Sequence, residues 1–178
     1  MNPEALFSRA AAAELPEGSK ERALATLALR RLWHAVFDPC PELARLFGEK
    51  NREFLDPFLE HAAAKGLSMR WSLHAQLLLW MKASRPTDVA PALVQELLAA
   101  AAARWANEDQ SDDQGAILHA ADMKGEALVA WKLRSPEEDV RVVVVKIPEP
   151  GHPGAGVYFT TFPERRYPDA LSWRPVPG

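Results

Sequence analysis

The sequence is poor in cysteine, in net charge and in long apolar runs, and each shortage excludes a class of protein. Cys40 is the only cysteine among 178 residues, so neither an intramolecular disulfide nor a cysteine-rich metal site can form. The formal net charge of −3 gives no general electrostatic attraction to nucleic acid or to an anionic membrane. No run approaches the ~20 apolar residues of a membrane span, and the N-terminus lacks the basic start of a signal peptide. We therefore expect a cytoplasmic protein without a membrane segment.

The common catalytic and metal-binding motifs are also missing. No two histidines stand four residues apart on one helix, and no Gly-x-Ser-x-Gly sequence is present. The glycine-rich segment at residues 151–156 leads into a predicted strand, whereas a phosphate-binding loop leads into a helix. His119 and Asp122 offer two metal ligands without a third. The sequence therefore predicts no metal and no cofactor.

The first part of the chain has the apolar periodicity and the capping residues of helices. Ser19 stands at an N-cap position, Pro91 in a first turn, and Gly66 where a helix would end. These signals predict helices over residues 3–14, 20–37, 51–65, 69–83 (after Ser68 as the cap) and 87–105, with a short turn at 42–47.

The last third of the chain has the pattern of strands. Residues 127–133, 140–147 and 156–162 are rich in β-branched and aromatic side chains, and turn residues close each run. Residues 140–147 are apolar on both faces, which is typical of a strand that is covered on both sides, so we expect this strand inside the sheet. Residues 116–121 could form a fourth strand or the end of a helix.

An acidic segment separates the two patterns. Residues 107–115, NEDQSDDQG, contain no apolar side chain and are typical of a linker or an exposed loop. The sequence thus predicts a helical region at 1–106, this linker, and a sheet region with a proline-rich tail at 116–178. The predicted fold class is α+β, with about five helices packed with a three- or four-stranded antiparallel meander, and the regions should form one cooperative unit.

The end of the predicted sheet carries one resemblance to a known family. Helices lead into an antiparallel sheet that finishes with VYFTTFP at residues 157–163. This layout resembles the small metal-independent ribonucleases of the barnase–colicin–RelE type, including the C-terminal toxin domains of bacterial conflict systems. Those proteins often end in a strand that carries a threonine shortly before an aromatic residue and a proline. The resemblance implies a role for Thr161 and, more loosely, for Arg141, with RNA as the substrate.

Ribonuclease chemistry needs a base for the ribose hydroxyl and cations for the phosphate. His119 could be the base and Lys124 a cation, both chosen by chemistry and not by the motif. Arg141 could neutralise the phosphate and Thr161 could donate a hydrogen bond. The candidate binding residues are Arg165 and Arg166.

A non-catalytic binding or adaptor protein is the first prediction, and the ribonuclease is the alternative. An adaptor would bind a protein partner, or a second copy of itself, through the sheet face or a helical groove. The central strand with two apolar faces, the six tryptophans and the lack of a complete catalytic set favour this class. RNA is expected as a partner only under the alternative.

Overall fold

A computed structural model describes residues 12–109, 113–121, 126–132, 142–146, 153–163 and 172–177. Contacts between residues divide the chain into two compact units, the first ending at Ser68 and the second running from Met69 to Pro177. The predicted division into a helical region, a linker and a sheet region stays a prediction.

Three helices with defined bounds lie in the described part of the first unit, and two of their ends follow the capping signals of the sequence. Helix α1 covers Lys20–Phe37, α2 covers Pro41–Phe47 and α3 covers Asn51–Lys65. The Ser19 hydroxyl accepts a hydrogen bond from the backbone N–H of Arg22 at 3.1 Å, which satisfies one of the free donors in the first turn. Gly66 ends α3 with a φ of 64°, a conformation that glycine adopts without strain. Residues 12 and 13 are helical, and the rest of the predicted first helix lies outside the described residues, apart from Glu14 in a turn.

The second unit begins with two helices. Helix α4 covers Leu73–Ser84 and α5 covers Pro91–Glu108, with a short 3₁₀ turn at Pro86–Asp88 between them. The starts predicted after Ser68 and near residue 87 are therefore both too early. In the segment before α4, Trp71 stacks on Trp105 with ring centroids 4.5 Å apart. This contact holds the segment against α5, so the segment does not continue α4 toward Ser68.

The sheet of the second unit has five antiparallel strands in the order β3-β2-β1-β4-β5. The strands are β1 Gln114–Ala120, β2 Glu126–Lys132, β3 Val142–Lys146, β4 Gly156–Phe162 and β5 Arg174–Pro175. Because β4 pairs with β1 and not with β3, the first four strands have the Greek-key order and not that of a simple meander. The α+β class, with helices before an antiparallel sheet, is confirmed.

The strand at the centre of the sheet is β1, and the prediction that residues 140–147 occupy the interior is wrong. Among the described strands, β3 pairs only with β2 and lies at an edge, where Val143 and Val144 are 38% and 65% exposed. In contrast, every residue of β1 from Gly115 to Ala120 is buried. Helix α5 packs on β1 and β2, and its buried residues include Ala100, Ala101 and Ala102, whose small side chains permit a close approach.

Candidate functional site

His119 lies on β1, at the face of the sheet that α4 and α5 cover. Its side chain is only 4% exposed, and its neighbours across the sheet are Leu128 on β2 and Val157 on β4. The last turn of α4 supplies Lys82, whose Nζ lies 2.7 Å from Nε2 of His119. The packing of α4 on the sheet thus joins two polar side chains that are 37 residues apart in the sequence.

The charge state of this pair follows from its surroundings. Burial, and secondarily the positive charge of Lys82, lower the pKa of His119 to about 4, so the imidazole is neutral at pH 7. Burial also lowers the pKa of Lys82. An ammonium has no acceptor, so charged Lys82 must donate to Nε2, and the proton of the imidazole is then on Nδ1. Nδ1 is buried and has no hydrogen-bond partner in the described part of the chain.

The pair borders an apolar cleft with a volume of about 400 Å³, which we call the Lys82 cleft. Glu126 and Ala121 stand at its border, and both are exposed. The remaining wall is aliphatic and comes from the α4–α5 segment and from β2 and β3: Pro86, Val89, Pro91, Val94, Ala127, Leu128 and Val144. A concave apolar surface with one or two polar groups is the usual form of a small-molecule site.

A cleft of about 810 Å³ in the first unit is larger but chemically less suited. Two of its basic side chains already have partners within that unit. Arg22 donates to the backbone oxygen of Leu15 at 3.5 Å, and His34 lies 3.2 Å from the carboxylate of Asp38. The Lys82 cleft is the better candidate because the ammonium of Lys82 at its border contacts a neutral imidazole and not an acid.

Of the other ribonuclease candidates, Thr161 lies within the described residues, and it does not stand beside His119. Thr161 is exposed on β4, and its hydroxyl accepts a hydrogen bond from Arg174 at 3.3 Å. It is paired with Gly115, four residues along β1 from His119, which corresponds to a separation of roughly 13 Å. The other four candidates lie outside the described residues: Lys124, Arg141, Arg165 and Arg166.

Lys82 was missed because its sequence context is ordinary. A lysine in the last turn of a helix is expected from the helix dipole alone. Only its contact with His119, made where α4 packs on the sheet, distinguishes Lys82 from other lysines, and no sequence motif predicts that contact.

Within the described ranges, no group of three His, Cys, Asp or Glu side chains could hold a metal ion. The helices in those ranges include none that is both long and apolar enough to cross a membrane.

The fold and the site define a small α+β protein with one lysine–histidine pair beside an aliphatic cleft. The model of a protein family described as methanobactin biosynthesis cassette protein MbnC-like matches residues 12–177, and the chain belongs to this family. A comparison with curated proteins finds no match.

Membership of a biosynthesis family corrects both functional predictions. The match covers nearly the whole chain, whereas the ribonuclease resemblance depended on one short strand sequence. The toxin-like ribonuclease is therefore wrong, and so is the plain non-catalytic adaptor, because the family is defined by a biosynthetic cassette. The protein partner or second copy expected from the sequence stays a prediction, as does the cytoplasmic location.

Proposed function

We propose that this protein takes part in a chemical step of methanobactin biosynthesis and binds the substrate of that step in the Lys82 cleft. The family supports the biosynthetic role. The cleft is supported by one observation above all, the ammonium of Lys82 held 2.7 Å from a neutral, buried imidazole at the border of an aliphatic cavity.

The chemistry available at this position is electrostatic. A half-buried ammonium interacts with a negative oxygen more strongly than a fully hydrated one does, because less water screens the charge. Lys82 can therefore orient a polar group of the substrate and stabilise negative charge that develops on it. His119 is a weak base at neutral pH, since its pKa is about 4, and its contribution is to hold the ammonium in place.

The test is production of methanobactin by cells that carry the cassette with Lys82→Met in this protein. We expect the product, measured by mass spectrometry, to fall at least tenfold, since tenfold is the effect of losing roughly 1.4 kcal/mol of binding or transition-state stabilisation. Lys65→Met is the matched control, because Lys65 is an exposed lysine in the last turn of α3, in the other unit.

Two results would contradict the proposal. Normal product from the Lys82→Met variant would show that the cleft is not the site. Normal product from cells that lack this protein altogether would show that the chain has no role in the pathway. Thermal melting of the purified variants identifies a loss of product that is caused by unfolding, and Lys82→Arg, which keeps the positive charge, should retain part of the activity.

A further inference from the structure

We propose that the Lys82 cleft recognises a carboxylate borne on a short aliphatic group, with the carboxylate on Lys82 and the aliphatic part against the wall of the cleft. This inference rests on the proposed function and specifies the chemical class of its substrate.

The first argument is the charge balance of Lys82. Three other cations in this unit are matched by acids: Arg85 by Asp88 at 2.7 Å, Arg104 by Glu108 at 2.7 Å, and Lys132 by Asp109 at 2.5 Å. Lys82 instead donates to a neutral imidazole, and no carboxylate lies within ion-pair distance of it in the part of the chain that the structure describes. A half-buried cation with a neutral partner is the natural counterpart of an anionic ligand.

The second argument is the geometry of the donors. The ammonium has three N–H groups, and the bond to Nε2 of His119 uses one of them. The other two can donate to a carboxylate. Because His119 fixes the position of the nitrogen, less side-chain freedom is lost when the ligand binds. The carboxylate of Glu126 also borders the cleft, but it is exposed and stands opposite Lys146 in the strand register, so solvent and Lys146 weaken its repulsion of an anion.

The third argument is the shape and chemistry of the wall. A volume of about 400 Å³ is near the lower end of the range for small-molecule sites. Proline, valine, alanine and leucine side chains form the wall, so it offers dispersion contacts and no further polar recognition. The ligand should therefore have one anionic group and a compact aliphatic body.

Two sources supply this chemistry: a free short-chain acid, and the C-terminal residue of a peptide with an aliphatic side chain. Hexanoate is the probe for the first source and N-acetyl-leucine for the second. Hexanamide and N-acetyl-leucinamide are their uncharged analogues, which keep the shape and lose the charge.

The experiment measures binding of these four probes to the full chain by NMR titration. We expect at least one acid to bind at least tenfold more tightly than its amide. Lys82→Met should abolish this preference while leaving the affinity for the amide unchanged, and Leu128→Ala should weaken the acid and the amide alike. Lys65→Met should behave as the wild type. A tenfold preference for N-acetyl-leucine over hexanoate would assign the site to a peptide terminus, and the reverse to a free acid.

The His119 ring gives an independent readout. A carboxylate on Lys82 offsets part of the positive charge that lowers the pKa of His119, so saturation with the acid should raise that pKa above about 4. The amide should leave it unchanged.

Equal affinity for acid and amide would overturn the proposal, and so would the absence of binding by every probe at millimolar concentration. These failures are separable from failure of the proposed function. If Lys82→Met stops methanobactin production but no acid binds, the cleft remains the site and the substrate class is wrong. If an acid binds through Lys82 but production is normal, the cleft has another role.

Discussion

The buried imidazole of His119 should make the protein sensitive to acid over a defined pH range. Its pKa is about 4 in the folded protein and close to 6.5 in the unfolded chain. Between these values the unfolded chain binds more protons than the folded protein does, so the free energy of unfolding decreases as the pH falls. The loss begins near pH 6.5, continues to about pH 4 and is complete below that value.

The size of this loss follows from the shift in pKa. At pH 4 the stronger protonation of this one imidazole in the unfolded chain lowers the free energy of unfolding by roughly 3 kcal/mol. The assay is urea denaturation at pH 7.5 and at pH 4 for the wild type and for His119→Gln, because glutamine can still accept a hydrogen bond from Lys82 but does not titrate. The decrease in urea midpoint should be larger for the wild type by about 1–3 M.

Comparison with the glutamine variant removes the contribution of the carboxylates, which titrate in the same range in both proteins. Lys82→Met supplies a second control. It removes the charge that is the lesser cause of the low pKa of His119, so the pH-dependent loss should shrink but persist, since burial is the main cause. An equal decrease in the wild type and in His119→Gln would refute the reasoning, because it would mean that the imidazole is not buried in neutral form.

Three further predictions concern stability. An added Cβ at Gly115 would lie 2.4 Å from the Trp105 ring, so Gly115→Ala should lower the free energy of unfolding, measured by urea denaturation, by about 1–3 kcal/mol. Adding Trp105→Leu to the same chain should recover part of this loss. An unchanged stability of Gly115→Ala would contradict the close packing of α5 on β1. Lys132 is 2% exposed and binds Asp109, so Lys132→Met should lower the free energy of unfolding by about 1–3 kcal/mol. The double variant Lys132→Met/Asp109→Asn should lose less stability than the sum of the losses of the two single variants, and strict additivity would contradict the pairing. Ser19→Ala should cost about 1 kcal/mol in the melting of the first unit, while Ser19→Asp should not, and equal losses would exclude a capping role.

Signals that act within a few residues were sufficient to predict most elements. The Ser19 cap, Pro91 at the start of α5 and the glycine end of α3 all act through local backbone geometry, and the structure has each of them. The start of α4 was wrong because a distant contact, the stack of Trp71 on Trp105, decides where that helix begins.

The order of the strands depends on contacts that the local pattern does not contain. The valines at 142–145 are apolar on both faces, yet β3 lies at an edge and leaves Val144 largely in solvent. Strand β1 has smaller side chains, including Gly115 and Ala116, and gave the weaker signal. Small side chains suit the centre here because the Trp105 ring lies directly against Gly115, where a larger residue would not fit.

One residue of the candidate site was named from the sequence. His119 was selected by its chemistry, as a possible ribonuclease base, and the structure places it at the border of the cleft. Its partner Lys82 could not be predicted, because a lysine near the end of a helix is expected to be solvated and the sequence does not distinguish this one. The family came from similarity across residues 12–177 and not from any single motif.

The position of β3 at the edge of the sheet leaves its alignment with β2 under weak control. Four consecutive valines, 142–145, face Ala127, Leu128, Val129 and Ala130, so a slip of the strand along its neighbour would exchange one valine for an identical one. Side-chain identity therefore cannot distinguish the alternative alignments over this run. Within the described register of the two strands, Glu126 and Lys146 are the opposite charges that face each other, and a slip by a single residue would separate them. The opposite charges of Glu126 and Lys146 therefore fix the register of a strand whose other residues are identical valines.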